Sequence, residues 1–390
     1  MASITQISNV LSAKFVNTQN FAEAISLSMI SGIPVIFWGR GGYGKTEMVL
    51  EIFRLLSSDW GMLECSPETT GSDILGGAVA KTTRQGNTEI TQASYNLNNS
   101  LIKHSCFFLE EMLDSTFNGL SALKSMITLK GAYIDGHFVE SKCQVLVGAT
   151  NINPTDLLES LEELHKNSYE ALLQRFLIVQ HEWQDHSISS YSDLLSFSQS
   201  TTDSKLSLDD VLALRKETYS ISFSKDIIQI LSSLAAKSTE NGNVISPRNL
   251  MWAKRLLQAN AVIRGNDSVD EKDFSILSYV NAFDPSLISG LSEEIKQQKM
   301  LQEAENKLAD FSQKIANGRK YWKLAEGNKH NIALTLVKEA LKLETEFTNS
   351  GKYPDSLETQ YKLIKGEISD FIKIMKNHAS DNTLYVNFTM

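Results

Sequence analysis

The stretch Gly39-Arg40-Gly41-Gly42-Tyr43-Gly44-Lys45-Thr46 matches the phosphate-binding pattern G-x-x-x-x-G-K-[ST]. It follows an apolar run, 33–38, that suits a buried strand, and it leads into 47–53, whose apolar residues recur at helical spacing. In that context the backbone N–H groups of the loop and the helix N-terminus attract an anion. The sequence predicts that this P-loop (Gly39–Thr46) binds a nucleoside triphosphate, with Lys45 on the β- and γ-phosphates and the Thr46 hydroxyl on Mg²⁺.

The composition argues against several classes of protein. The chain has 390 residues and a formal net charge of -9, which argues against a globally basic nucleic-acid surface. Its three cysteines, Cys65, Cys106 and Cys143, lack metal-binding spacing and are typical of reduced thiols. We see neither a signal-peptide pattern after Met1 nor an apolar run near the ~18 residues of a membrane span. A cytoplasmic protein is expected.

A second motif places two carboxylates after an apolar strand, in Ser105-Cys106-Phe107-Phe108-Leu109-Glu110-Glu111. In a P-loop protein the first acid helps to hold Mg²⁺ and the second polarises the attacking water, which assigns Glu110 to the metal and Glu111 to catalysis. The usual first acid is aspartate, and Glu110 carries the same charge on a longer side chain. The alternative is a strand that runs into a solvated, acidic helix start.

A third strand, 144–150, ends at Asn151, whose amide could touch the γ-phosphate and the water; a simple strand-end turn is the alternative. Two hairpins are expected. One lies within 78–92 and turns at 85–87, and the other spans 131–139 with Asp135-Gly136 at its turn.

These patterns predict an α/β core with a parallel sheet and helices on both faces over 1–186. A Ser/Thr-rich linker follows at 187–204, and four helices occupy 205–284. Residues 285–390 are highly charged with a partial heptad, which favours a coiled or antiparallel helical appendage.

The order of these motifs resembles that of the AAA+ ATPases over roughly residues 10–284, and its details are similar to the MoxR-type group and, within it, to the RavA-like branch. Gly148-Ala149-Thr150-Asn151 resembles the sensor 1 strand and assigns Asn151. The segment 171–176 resembles the arginine-finger helix and assigns Arg175, although Gln174 stands where aspartate is usual. Ser246-Pro247-Arg248 resembles the start of sensor 2 and assigns Arg248. The hairpins fall where this group carries its helix-2 and pre-sensor-1 insertions.

The resemblance implies a helical lid at 205–284 and a ring, usually a hexamer, with ATP at each subunit boundary. Glu111 would act from one subunit and Arg175 from its neighbour, to hydrolyse ATP to ADP and phosphate, and Arg248 would report the γ-phosphate to its subunit. MoxR-type proteins are typically chaperone-like remodellers of a protein client, with a von Willebrand factor A domain partner. In such ATPases the segment before the first strand commonly lines the base pocket, so Phe15 and Val16 are candidate adenine contacts, with plain helix packing as the alternative.

Two other functions stay open at this stage. A nucleic-acid motor is one, because Lys81 and Arg84 lie in the first hairpin. A nucleotide-gated scaffold with weak hydrolysis is the other, because glutamate replaces aspartate at Glu110. GTP is not excluded either, and an ATP-driven remodeller is the preferred interpretation.

Overall fold

The computed structural model describes residues 2–380 apart from 57–58, 86–87, 99, 135, 183–186, 201–205, 281–282, 327–328 and 350–354. The chain divides into two compact units, Met1–Ser289 and Gly290–Met390. Both candidate acids, the P-loop and the sensor candidates lie in the first unit.

The first unit is built around a five-stranded parallel sheet in which the strand before the P-loop lies between two later strands. The strand order is β2-β5-β8-β1-β9. The chain also forms two separate hairpins, β3–β4 and β6–β7. In chain order the strands are β1 (Val35–Trp38), β2 (Trp60–Glu64), β3 (Gly77–Gln85), β4 (Thr88–Asn96), β5 (Cys106–Glu110), β6 (Gly131–Ile134), β7 (His137–Glu140), β8 (Val145–Thr150) and β9 (Leu177–Gln180).

Helices surround this sheet and precede the lid. They are α1 (Ala2–Lys14), α2 (Gln19–Ser31), α3 (Lys45–Leu56), α4 (Gly71–Leu75), α5 (Phe117–Leu120), α6 (Ala122–Leu129), α7 (Pro154–Ser160) and α8 (Glu163–Leu173), with a 3₁₀ turn at Met112–Asp114. The parallel sheet and the helices around it confirm the predicted fold class.

The two faces of the sheet bury different side chains because neighbouring strand residues alternate in direction. Ile36, Phe107 and Leu146 belong to an apolar cluster with residues of the helices that follow β5. Phe37 lies on the other face, where the ring of Phe21 from α2 stacks on it with centroids 4.0 Å apart. The residues of α2 from Ser26 to Ser31 are all buried, since this helix packs on both the sheet and the lid.

Both predicted hairpins form. Of the residues predicted for their turns, 86–87 in the first and Asp135 in the second lie outside the described residues. The side chain of Lys81 is likewise outside the description, whereas Arg84 is exposed. At the second hairpin the exposed rings of Tyr133 and Phe138 pack edge to face, with centroids 5.4 Å apart.

A lid of helices follows the sheet. The stretch predicted as a linker contains a helix, α9 (Ile188–Ser196). The lid helices are α10 (Leu208–Glu217), α11 (Lys225–Glu240) and α12 (Pro247–Arg264), with 3₁₀ turns at Thr218–Ser220 and Glu271–Tyr279. Helix α12 begins with Ser246 as its N-cap and Pro247 in its first turn, and it ends at Gly265, whose left-handed backbone closes it.

The second unit contains most of α13 (Pro285–Leu324), which begins before Gly290, together with α14 (Lys329–Asn349) and α15 (Glu358–Ser380). They bury an apolar core of their own, in which Phe311, Phe347 and Phe371 take part. This core is more extensive than the charged sequence suggested, because the three helices share it. Among the described residues, none of the helices is both long and apolar enough to cross a membrane.

The end of the lid depends on a buried carboxylate. Asp273 is fully buried and accepts hydrogen bonds from Arg264 Nη1 (2.9 Å) and Asn260 Nδ2 (2.9 Å), while Arg264 also pairs with Asp270 (2.6 Å). We expect Arg264→Ala to lower the free energy of unfolding by about 1–3 kcal/mol, because a buried charge loses its partner. Urea denaturation measures this effect.

The control variant is Arg54→Ala, whose side chain is 59% exposed and lies 3.8 Å from Glu51. It should change stability by less than about 0.5 kcal/mol. Equal effects of the two variants would contradict the structural role given to Arg264.

Candidate active site

The P-loop connects β1 to α3 and needs glycine where it bends. Gly39, Gly42 and Gly44 have φ values of 154°, 85° and 76°, which side-chain-bearing residues rarely adopt. At Gly39 a Cβ atom would also stand 2.2 Å from the carbonyl oxygen of His181. The loop therefore passes directly against the residue that follows β9.

Lys45, the first residue of α3, is buried, and three oxygen atoms surround its ammonium group. Its Nζ donates to the carbonyl oxygens of Gly39 (2.6 Å) and Arg40 (2.9 Å) and to Oδ1 of Asn151 (3.0 Å). Burial lowers the pKa of Lys45, and the negative charges of Glu111 and Glu182 oppose that shift. The ammonium group is thus held where a phosphate would lie against the loop.

Thr46, in the first turn of α3, meets Glu110 at the carboxyl end of β5. The Thr46 hydroxyl donates to Oε1 of Glu110 at 2.5 Å. A hydroxyl and a carboxylate oxygen side by side are the hard oxygen ligands that Mg²⁺ prefers. The donor set therefore fits the metal that the P-loop pattern implies.

Glu111 and Asn151 form the other half of the site. Asn151 donates to Glu111 twice, from its side-chain Nδ2 to Oε1 (2.5 Å) and from its backbone N–H to Oε2 (3.2 Å). Because Asn151 Oδ1 also accepts from Lys45, one amide joins the lysine to the acid. The structure therefore brings Lys45, Asn151 and Glu111 into one hydrogen-bonded chain.

The backbone of Glu111 is unusual. Its φ and ψ are 46° and 43°, in the left-handed region, and it serves as N-cap residue of the 3₁₀ turn after β5. Such a conformation costs a non-glycine residue of order 1 kcal/mol and is often retained where function requires it. Burial raises the pKa of Glu111, and the hydrogen bond from Asn151 lowers it. A carboxylate with a raised pKa is the stronger base.

Arg175 and Arg248 do not belong to this hydrogen-bonded chain. Arg175 follows α8, and its guanidinium donates to Thr128 Oγ1 (3.3 Å) and to the carbonyl oxygen of Ala171. Burial lowers the pKa of Arg175, and the positive charge of exposed Arg248 lowers it further. Among the described residues, no hydrogen bond or ion pair joins either arginine to the Lys45–Glu111 chain. The two arginines influence each other instead.

Sequence reasoning missed His181 and Glu182, which follow β9. The backbone N–H of His181 donates to Trp38 (2.8 Å), and its Nε2 lies 3.1 Å from the carbonyl oxygen of Tyr43. Since a carbonyl oxygen only accepts, Nε2 carries the hydrogen, and burial lowers the pKa of His181, which favours the neutral ring. The available signal was the position of these residues at a strand end, but only the sheet order shows that β9 adjoins β1.

Comparison with known proteins agrees with this architecture. Residues 222–285 match the family model described as the AAA lid domain. The crystal structure of a protein described as a proposed ATPase, from Cytophaga hutchinsonii ATCC 33406, is similar to this chain with a TM-score of 0.55 and 15% sequence identity; the match covers 72% of this chain and 86% of that one. No curated protein matches the chain in sequence at a significant level.

A likeness at this identity establishes the fold. Together with the strand order and the lid match, it gives the chain the AAA+ fold. These findings support the expected class of protein, an AAA+ ATPase.

The fit of the P-loop against His181 can be tested with one substitution at two positions. Gly39→Ala should destabilise the protein by about 1–3 kcal/mol and weaken nucleotide binding, because its Cβ meets the His181 carbonyl group. At Gly41 a Cβ would make only ordinary contacts, at 3.8 and 3.9 Å from the side chain of Asn151. Gly41→Ala should therefore stay within about 0.5 kcal/mol of wild type. Thermal denaturation and calorimetric titration compare the two variants, and a tolerated Gly39→Ala would argue against this close approach.

Proposed function

We propose that this chain is an ATPase of the AAA+ class that hydrolyses ATP to ADP and phosphate. The observation that carries the proposal is the chain of hydrogen bonds from Lys45 through Asn151 to Glu111, beside the Thr46–Glu110 pair. A phosphate-binding cation, a polarising amide, a general base and a pair of metal ligands thus meet at one edge of the sheet.

Binding uses groups that are already in place. The N–H groups of the loop and the N-terminus of α3 face the phosphates, and Lys45 exchanges its carbonyl partners for phosphate oxygens. Thr46 and Glu110 would hold Mg²⁺, which supplies positive charge to the phosphates when it is bound. These groups stabilise negative charge without reorganisation of the backbone.

Glu111 is the general base in this proposal. Two N–H donors of Asn151 orient its carboxylate, so that it can accept a proton from a water molecule aimed at the γ-phosphorus. The water oxygen forms the new bond, the bond to the β–γ bridging oxygen breaks, and ADP leaves with that electron pair. Asn151 acts as a positioning residue for Glu111 and for the γ-phosphate.

Among the described residues, no hydrogen bond or ion pair joins Arg175 to the Lys45–Glu111 chain of its own subunit. We therefore assign Arg175 to the nucleotide of a neighbouring subunit, as its resemblance to the arginine-finger position implies. Arg248, in the first turn of α12, is assigned to its own subunit, where it would report the γ-phosphate, as the resemblance to sensor 2 implies. A ring, usually a hexamer, satisfies this arrangement.

The resemblance to MoxR-type proteins extends the proposal. On that basis the ring is a cytoplasmic, chaperone-like remodeller of a protein client, with a von Willebrand factor A domain partner. The second unit, with its own apolar core, offers a further region for such contacts.

A second candidate is a nucleotide-gated scaffold with slow hydrolysis. The direct contact of Glu110 with Thr46 favours it, because the longer acid reaches the hydroxyl that would hold Mg²⁺. Measured turnover separates the two candidates.

Glu111→Gln tests the general base. We expect ATP binding to persist, because the amide oxygen still accepts from Asn151, while turnover falls by about 100-fold or more. The matched control is Asp114→Asn, an exposed carboxylate three residues further along. Phosphate release and calorimetric titration are the measurements. Wild-type turnover in Glu111→Gln would remove Glu111 from this role.

A subunit-mixing experiment tests Arg175. Arg175→Ala alone and Lys45→Ala alone should each abolish hydrolysis, and a mixture of the two should recover part of it. Recovery is expected because some boundaries then combine an intact P-loop from one subunit with an intact arginine from the other. Mixtures that stay inactive while a nucleotide-dependent ring still forms would contradict the shared site.

A further inference from the structure

The second unit contains a cavity of about 430 Å³ between α13 and α14. Buried apolar side chains from all three helices line it, among them Ile315, Leu336 and Phe371. Asn317 and Tyr321, which are exposed, stand at its edge. The P-loop and both candidate acids lie in the first unit, so nucleotide hydrolysis does not use this cavity.

The shape of the cavity is fixed because α13 packs closely on α15 beside it. A Cβ atom on Gly318 would stand 3.0 Å from the ring of Phe371, so the backbone of α13 lies directly against that ring. Further along both helices, the ring centroids of Trp322 and His378 lie 4.9 Å apart. The two contacts advance in the same direction along both chains. Helices α13 and α15 therefore run parallel and finish at the same end of the second unit.

One side of the cavity faces solvent. Tyr321 is 59% exposed, and Leu343, another lining residue, is half-buried. Among the described residues, no protein group forms a hydrogen bond with the side chain of Asn317 or with that of Tyr321. Apolar surface of this kind gains free energy when another apolar segment covers it, and such a segment also meets polar partners at the edge.

Residues 381–390 follow α15 and lie outside the described residues, but their sequence has a regular pattern. Apolar side chains occupy every second position, at Leu384, Val386, Phe388 and Met390, and the positions between them hold tyrosine, asparagine and threonine. This alternation predicts an extended segment with one apolar side. Asp381 and Asn382, directly after the helix, are residue types that favour a reversal of the chain.

The segment is long enough to reach the cavity. On α13 the lining extends from Tyr321 to Lys314, which lies ten residues before the end of the helix at Leu324. That length of helix is about 15 Å, and crossing the end of the unit adds about 10 Å, the diameter of one helix. Phe388 is eight residues beyond Ser380, and an extended chain of that length spans about 26 Å.

We propose that the segment 381–390 crosses the end of the second unit and packs its apolar side into the cavity between α13 and α14. Phe388 enters the apolar part of the cavity, and the ring of Tyr321 covers it from the edge. The amide of Asn317 offers a donor and an acceptor to the backbone of the extended segment. The inference does not depend on the proposed hydrolysis of ATP, because every group involved lies in the second unit.

The occupant is a segment of the same chain. Since α15 ends beside α13, its own continuation meets the cavity at a much higher local concentration than the same segment of a second copy. Docking of this segment completes the apolar core that α13, α14 and α15 share.

Peptide binding to a truncated chain tests the docking. The chain is ended after Ser380, and a fluorescent peptide with the sequence of 381–390 is added while its anisotropy is measured. We expect the peptide to bind the truncated chain at least about 10-fold more tightly than the full chain, whose own segment already occupies the cavity. No binding to the truncated chain would overturn the docking, and equal binding to both chains would overturn occupation by the chain's own segment.

Two peptide variants test which side of the segment enters the cavity. Phe388→Ala should weaken binding on the order of 10-fold, because a large apolar side chain is lost from the contact. Tyr385→Ala, on the opposite side of the alternation, is the matched control and should stay within about 3-fold of the unchanged peptide. Equal losses would overturn the assigned side.

A pair of substitutions on α13 tests the place of binding. Asn317→Trp puts a bulky ring at the edge of the cavity and should weaken peptide binding to the truncated chain by about 10-fold or more. Ala316→Trp, at an exposed neighbouring position outside the lining, should leave the affinity unchanged. Wild-type affinity in Asn317→Trp would overturn this cavity as the site.

The full chain gives a test that does not require truncation. With p-benzoylphenylalanine in place of Phe388, illumination should join this position to 314–321 or 336–343, as mass spectrometry of the digested protein would show. A mixture of light and isotopically heavy chains separates links within a chain from links between copies. Links that join light to heavy peptides would overturn the chain's own segment in favour of that of a second copy, and links to neither stretch would overturn the docking.

Discussion

The ammonium group of Lys45 is buried and must be surrounded by oxygen atoms, which is the constraint that the rest of the site satisfies. Two of these atoms are carbonyl oxygens of its own loop, at Gly39 and Arg40. The third belongs to Asn151, which is more than a hundred positions away in the chain. An unpaired buried charge is costly, so the position of Lys45 requires that β8 lie beside β1. The order of strands in the sheet thus provides a partner for the buried ammonium group of Lys45 and also forms the apolar core.

Around this lysine the structure holds polar groups in positions that they would not adopt by themselves. Glu111 keeps a left-handed backbone, and Gly39 passes the His181 carbonyl group at a distance that excludes a side chain. Such strain persists when the surrounding packing fixes the local backbone; here β8 packs against the turn that follows Glu111, and His181 packs against Gly39. Groups held in this way need little rearrangement when charge develops in a transition state.

Sequence patterns predicted where helices and strands lie better than they predicted which residues are buried. Helix α12 follows from its Ser246 cap, its Pro247 and its closing Gly265, which are local signals. Helix α2 is buried from Ser26 to Ser31 because two neighbouring layers cover it, and neither layer is local to it in the sequence. The Ser/Thr-rich stretch was expected to be a linker, yet α9 forms within it and lines a cavity. Composition describes a segment, whereas burial depends on what packs against it.

By itself, the sequence determined the P-loop, the strand that ends in Glu110 and Glu111, and the two hairpins. Each of these depends on spacing and on residues close together in the chain. Only the tertiary structure decided that Asn151 joins Lys45 to Glu111, that His181 packs against the P-loop, and that Arg248 lies within electrostatic reach of Arg175. The physical reason is that neighbours in a parallel sheet are set by how the crossover helices pack, and that packing involves residues far apart in the chain.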